Sequence, residues 1–398
     1  TNSSLNVPCF FVHLVAKGKQ IMKNSIKIMT VTILLASTFT FAQSFKFAAM
    51  SDSRGSDNGV NTPVLTALTN HMLENNPEIK FVVFAGDMVN GHKHDPDRTK
   101  RELLHWKEVM APVYNHPNIV WPGIWPVVGN HEIRHREDED NFRDVFQDVY
   151  LNGPEEQKGL SYSFDFGNSH FCIMNTDAWF YGDLEDTTDD RPDWHQIKYI
   201  DWVENDLKSA KERGIKHIFT FAHEMPFPIG GHLRDGLPNL GRNYTGTIDS
   251  TRQYYLDRRD KFWNIMQKYN ADAHICGHEH TYGRQEVNGV FQVLNGSSGA
   301  PLYHFNPRPE DDTENERYEM SYDEAIPYYE TLEYHHGPGK NSQRTENFVG
   351  YRAFNYSIYE VFDDKVIVKT YGAYPREGSN TEIGTEIDLI DEFVIEKK

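Results

Sequence analysis

Short apolar runs alternate with helical stretches through most of this chain. Residues 45–50 and 81–85 are near-continuous apolar runs of strand length, the pattern of strands buried on both faces. Each stops at a turn: Ser51-Asp52-Ser53-Arg54-Gly55 after the first, Gly86-Asp87 after the second. Between them Val64, Leu65, Leu68 and Met72 recur at helical spacing, which predicts a helix over 63–75. Leu103, Leu104, Trp106 and Met110 predict a second helix over 99–113. A third buried strand, 124–128, runs into Gly129-Asn130-His131-Glu132. A short helix is expected over 141–150, then a hairpin of 162–166 and 170–174 through Gly167-Asn168. An amphipathic helix at 193–211 precedes the strand 217–222, which delivers His223-Glu224. A helix at 258–269 precedes the strand 273–276, and that strand ends in Gly277-His278-Glu279-His280 on a polar turn. Residues 290–294, 356–362 and 365–371 read as further strands. Strand–helix alternation of this kind argues for an α/β protein whose site lies at the carboxyl ends of strands.

Residues 302–347 break the pattern. They are acidic and rich in Pro, Tyr and His, without periodicity. A loop this long is usually functional or disordered, so it is either a substrate-selecting lid, with Tyr303 and His304 as contacts, or a surface insertion.

The amino-terminal region has its own composition. After Met22 comes a short basic stretch, an apolar run over 28–41, and small residues ahead of Gln43. That order reads as a secretory signal peptide cut near Ala42/Gln43. Residues 1–42 are then a removed leader, and 43–398 form a single secreted or periplasmic domain. The apolar run falls short of the roughly 20 residues that a membrane span needs, so no stable span is expected after cleavage. Taking the four leader lysines from 40 basic residues leaves 36 against 59 acidic ones, a formal charge of −23. Such a surface repels a nucleic-acid backbone and fits a protein whose acidity is partly offset by bound divalent cations. Cys172 and Cys276 each lie in an apolar run and read as buried free thiols rather than a disulfide.

The strand ends share one chemistry. Asp52, Asp87, Asn130, His131, His223, His278 and His280 all offer oxygen or nitrogen donors of the kind that bind Zn, Mn or Fe. Single residues of this sort usually cap turns or satisfy buried polar groups. Seven of them, each just past an apolar run, point to a metal centre. Two-metal sites hold ions about 3.5–4 Å apart and need a bridging carboxylate. No P-loop, nucleophile elbow or dinucleotide fingerprint competes.

The blocks Asp52-Ser53-Arg54, Gly86-Asp87, Gly129-Asn130-His131-Glu132, Ala222-His223 and Gly277-His278-Glu279-His280 resemble the calcineurin-like metallophosphoesterase superfamily, in order and spacing over about residues 45–372. The run from Gly277 to Arg284 is most similar to the purple acid phosphatase branch and its bacterial relatives. The resemblance implies a four-layer α/β/β/α sandwich of two mixed sheets flanked by helices, which the strand–helix pattern alone does not distinguish from a doubly wound sheet. It implies two divalent metal ions. Asp87 would bridge them, Asn130, His223 and His278 would complete one site, and Asp52 and His280 would serve the other. His131 would contact the phosphate and act as general acid. Hydrolysis of a small phosphorylated substrate by direct water attack is expected, first of monoesters. The alternatives are a phosphodiesterase on nucleotide or phospholipid diesters and a non-catalytic oxyanion binder. His92, His135 and His304 are candidates for substrate contact.

Two departures matter. Many members carry a metal-binding His where this chain has Arg54, and purple acid phosphatases carry a ligand Tyr where it has Asn90. A guanidinium has no acceptor and cannot ligate. The first site therefore either completes its shell with water or is weak, with Arg54 replacing its charge and clamping an oxyanion.

Overall fold

The computed structural model describes residues 44–135, 137–176, 199–229, 248–303, 342–344 and 348–397, with the backbone alone described for 248–256 and 342–344. The expected leader and signal peptide, His304 and nearly all of the candidate lid lie outside the described residues.

Two large mixed sheets carry the structure. The first runs, in spatial order, Asp388–Glu396, Lys365–Ala373, Phe354–Val361, Phe45–Met50, Ile79–Phe84 and Ile124–Pro126. The last three strands are parallel and the others antiparallel. The second sheet runs Ser342–Arg344, Phe348–Tyr351, Tyr282–Val287, Val290–Asn295, Ala273–Cys276, His217–Phe221, Ser169–Ile173 and Tyr162–Phe166. Its central strands, from Val290–Asn295 to Ser169–Ile173, are parallel neighbours.

Alternation along the strands builds a core between the sheets and one outside each of them. Phe45, Phe47 and Ala49 pack between the sheets against Phe171, Phe219 and Tyr359, whereas Ala48 and Met50 face the outer core. Phe47 stacks on Tyr359 at 4.7 Å and meets Phe171 edge-on at 5.1 Å. Each such pair adds about 0.5–1.5 kcal/mol beyond its area burial. Outside the first sheet lies the helix Thr62–Asn75, burying Val64, Leu65, Leu68 and Met72, with the helix Pro96–Val109 beside it. Outside the second, the helix Ile200–Glu212 and Phe262, Trp263, Ile265 and Met266 of the helix Ile248–Lys268 cover Cys172 and Ile218. The order is helices, sheet, sheet, helices. Strands covered on both faces explain the near-continuous apolar runs. Cys172 and Cys276 are buried free thiols.

Several boundaries differ from the sequence reading. The second helix begins at Pro96, because Asp95 accepts the backbone N–H of Arg98 at 3.0 Å and a proline suits the first turn. It stops at Val109 because Pro112 would clash with the preceding turn, and a separate short helix, Ala111–Tyr114, follows. The next helix is Asp138–Val145, earlier than 141–150, with three acidic residues in its first turn. The polar residues after His280 form a strand, Tyr282–Val287, whose Arg284 pairs with Asp391 of Asp388–Glu396. Among the described residues no helix is long and apolar enough to cross a membrane.

Candidate metal centre

The parallel strands of the two sheets end side by side, and their ends hold the candidate residues. Asp52 follows Phe45–Met50, Asp87 follows Ile79–Phe84, and Asn130 and His131 follow Ile124–Pro126. From the second sheet, His223 follows His217–Phe221, and His278 and His280 follow Ala273–Cys276. Asp52, Asp87 and His278 adopt positive φ, at 55°, 52° and 73°. Non-glycine residues tolerate that conformation poorly, and such strain concentrates at functional sites. Glycines allow the close approach. A Cβ on Gly277 would fall 2.5 Å from Asp52 Oδ2, and one on Gly129 would fall 2.6 Å from Asp87 Oδ1.

Backbone hydrogen bonds fix the histidine rings. His131 Nδ1 donates to the Asn90 carbonyl at 2.6 Å, His223 Nδ1 to that of Ala85 at 2.8 Å, and His280 Nδ1 to that of Pro301 at 2.8 Å. A carbonyl only accepts, so each Nδ1 carries the proton and each Nε2 is turned toward the centre. His223 Nε2 lies 3.2 Å from Asp87 Oδ1 and 3.3 Å from His278 Nδ1. His278 Nε2 lies 3.4 Å from Glu224 Oε2, a carboxylate–imidazole pair of the kind that orients metal-binding histidines. His280 Nε2 lies 3.5 Å from Asp52 Oδ1, and His131 Nε2 lies 3.8 Å from Asp87 Oδ2.

These donors fit a divalent cation. Ligand atoms of Asp52, Asp87 and His223 lie within 4.8 Å of one another, all buried. Asn130 Oδ1 is buried and accepts no hydrogen bond among the described residues. Two carboxylates and imidazole nitrogens with lone pairs turned toward a common space repel one another unless positive charge lies between them, and a buried amide oxygen without a donor is costly. The carboxylates differ in character. Burial, with Asp87 nearby, pushes Asp52 up to about 6 from 3.8. Burial also acts to raise Asp87, but facing His131 and His223, with Arg54, overcome it and hold that carboxyl well below 3.8. Burial pushes His131 down to about 4, assisted by Arg54 and Arg134, although Asp87 pulls the other way.

Arg54 reaches the same centre. Its Nε lies 3.7 Å from Asp87 Oδ2, and one terminal nitrogen lies 3.3 Å from His280 Nε2 and 3.5 Å from the Tyr303 hydroxyl. Tyr303 stacks on the His280 ring at 4.1 Å. Asn90 acts through its carbonyl, while its side-chain amide donates to Gly55.

Of the other substrate-contact candidates, His92 and His135 make hydrogen bonds to nearby backbone and side chains. The His92 backbone N–H donates to Thr99 Oγ1 at 3.0 Å, and His92 Nδ1 accepts from His94. The His135 N–H donates to Asp138 at 2.8 Å, and its Nδ1 accepts from Glu137. Sequence reasoning missed the supports. Glu132 accepts the N–H groups of Asp87, Val89 and Gly129, and Glu224 faces His278. Glu132 stood inside a recognised motif, yet nothing in the motif says that its partner is a loop more than 40 residues away.

The family model for calcineurin-like phosphoesterases matches residues 45–282. Acid phosphatase type 7 of Mus musculus is 27% identical over 233 residues, 57% of this chain and 45% of that protein. The Homo sapiens protein of the same name is 28% identical over 233 residues, with the same shares. The match thus spans under half the length of these relatives. Among solved structures, purple acid phosphatase PPD1 from yellow lupin (Lupinus luteus) seeds superposes with a TM-score of 0.54 at 14% identity, covering 89% of this chain and 54% of that one. At that identity the likeness is one of fold.

Proposed function

The chain belongs to the calcineurin-like phosphoesterase family, and from that premise we propose that it hydrolyses phosphate esters with a divalent metal ion, phosphomonoesters first. The observation that carries this reading is the buried cluster of Asp52, Asp87 and His223, whose ligand atoms lie within 4.8 Å of one another, with His278 Nδ1 3.3 Å from His223 Nε2. From their motif positions Asp87, Asn130, His223 and His278 are read as one ligand set. These four would hold the ion, with Asp52 beside them. When bound, such an ion lowers the pKa of a water and polarises the phosphoryl group.

The chain's own residues supply the rest. Glu224 orients His278, and the Ala85 carbonyl orients His223. Arg54 presents N–H groups to a phosphate oxygen, a charge-assisted contact suited to its fork geometry. His131 sits neutral in the free site, with its Nε2 toward the centre. An arriving phosphate dianion favours the protonated imidazole, which then donates that proton to the leaving oxygen. Export of the chain belongs to the same proposal and rests on the basic-then-apolar stretch of 23–41.

The test is hydrolysis of p-nitrophenyl phosphate against bis(p-nitrophenyl) phosphate by protein loaded with Mn or Zn. Preference for the monoester supports the reading. Preference for the diester moves the substrate class to diesters. Phosphate binding without metal-stimulated turnover of either ester would make the protein an oxyanion binder.

A further inference from the structure

Half of the expected two-metal site fits a cation and half does not. On one side, His223 Nε2 lies 3.2 Å from Asp87 Oδ1 and 3.3 Å from His278 Nδ1, and Asn130 Oδ1 is buried with no hydrogen bond among the described residues. On the side of Asp52 and His280, a positive charge is already present. His280 Nδ1 is committed to the Pro301 carbonyl, so its Nε2 is an acceptor, and the group 3.3 Å from it is an Arg54 N–H. The same guanidinium lies 3.7 Å from Asp87 Oδ2, the carboxylate that would bridge two metals. Arg54 thus engages two of the donors that a second ion would need. The side chain is held in place. The Tyr303 hydroxyl lies 3.5 Å from its terminal nitrogen, and the Tyr303 ring stacks on His280.

We propose that Arg54 takes the place of the second metal cation, so that the protein binds one divalent ion and completes the positive charge with a guanidinium. This deepens the proposed function and rests on it. At the two positions where the sequence resemblance implies further ligands for the site of Asp52 and His280, the chain has Arg54 and Asn90, whose amide is turned to Gly55. A cation placed between Asp52, Asp87 and His280 would stand against a permanent positive charge in a buried setting, where repulsion is little screened. Arg54 Nε is buried and, among the described residues, makes no hydrogen bond, Asp87 Oδ2 lying 3.7 Å away as an ion pair only. That N–H is a donor available to an oxygen of the substrate phosphate, the contact that a second ion would otherwise make.

The experiment counts metal in the full chain. Wild type, Arg54→His and Arg54→Gln are each loaded with excess Mn, desalted and measured by elemental analysis, with electron paramagnetic resonance read on the same samples. One ion per chain in wild type, a second ion in Arg54→His and a spin-coupled Mn pair in that variant alone support the proposal. Arg54→Gln removes the charge and shortens the side chain while keeping it polar. It should raise KM for the phosphate ester about tenfold or more while the bound ion stays. Two ions in wild type, with a coupled signal, overturn the substitution by Arg54 and leave the metal-dependent reading standing. No ion in wild type overturns both. Folded Arg54→His that still holds one ion also contradicts the proposal.

Discussion

The Glu132 carboxylate accepts the backbone N–H of Asp87 at 2.8 Å and that of Gly129 at 2.9 Å through one oxygen, and that of Val89 at 3.2 Å through the other. One buried side chain therefore ties the loop carrying Asn130 and His131 to the loop carrying Asp87. Glutamine would place an amide N–H against one of those donors. Glu132→Gln should cost about 1–3 kcal/mol, and Glu132→Ala should leave all three N–H groups unsatisfied and cost more. Urea denaturation of the two variants beside wild type checks the order.

Glu224 lies 3.4 Å from His278 Nε2. Removing such a partner leaves the ligand in place but frees its ring. Glu224→Ala should weaken metal affinity about 10–100-fold. Competition against a metallochromic chelator measures the change, and unaltered affinity would remove Glu224 from the support of the centre.

His131 Nδ1 is fixed by Asn90, and its Nε2 lies 3.8 Å from Asp87 Oδ2. If it carries the proton to the leaving oxygen, His131→Ala should lower kcat about 10²–10⁴-fold and leave metal content unchanged. The deficit should shrink for esters of acidic alcohols, which leave without protonation. A variant that loses its metal instead would place His131 among the ligands.

Away from the site, buried His170 donates to Asp165 at 2.6 Å and Asp206 at 2.8 Å, with Arg213 at 3.3 Å from its Nδ1. Burial acts to lower its pKa, but the two carboxylates outweigh burial and raise it above 6.5. The folded state thus binds the His170 proton more tightly than the unfolded chain. The stabilisation is complete below the unfolded value and is lost as pH rises through the folded one. The loss of thermal stability in His170→Gln should be larger at about pH 5.5 than at about pH 8.5. An equal loss at both would contradict a charged His170.

Much of this was legible because strands covered on both faces spell continuous apolar runs, and their ends carry the ligand-type residues. Phe45–Met50, Ile79–Phe84 and Ala273–Cys276 follow that pattern. Tyr282–Val287 hid because its burial depends on a pairing of Arg284 with Asp391, more than 100 residues away. Asp388–Glu396 is an edge strand, and its alternation is diluted by exposed charge. The positive φ of Asp52, Asp87 and His278 leaves only a weak signature in residue type, since aspartate and histidine reach that region more readily than most side chains but seldom do so. Arg54 was visible as a departure from the family pattern, but its contact with His280 is a fact of three dimensions.

The most direct test of the central claim is the Asn130→Ala variant assayed on p-nitrophenyl phosphate with and without Mn. Asn130 Oδ1 is buried and accepts no hydrogen bond among the described residues, so its loss should affect ion binding more than folding. The account predicts metal-stimulated turnover in wild type, and a folded variant with little bound Mn and turnover reduced at least about 100-fold. Turnover that is independent of metal, or that survives Asn130→Ala, would contradict it.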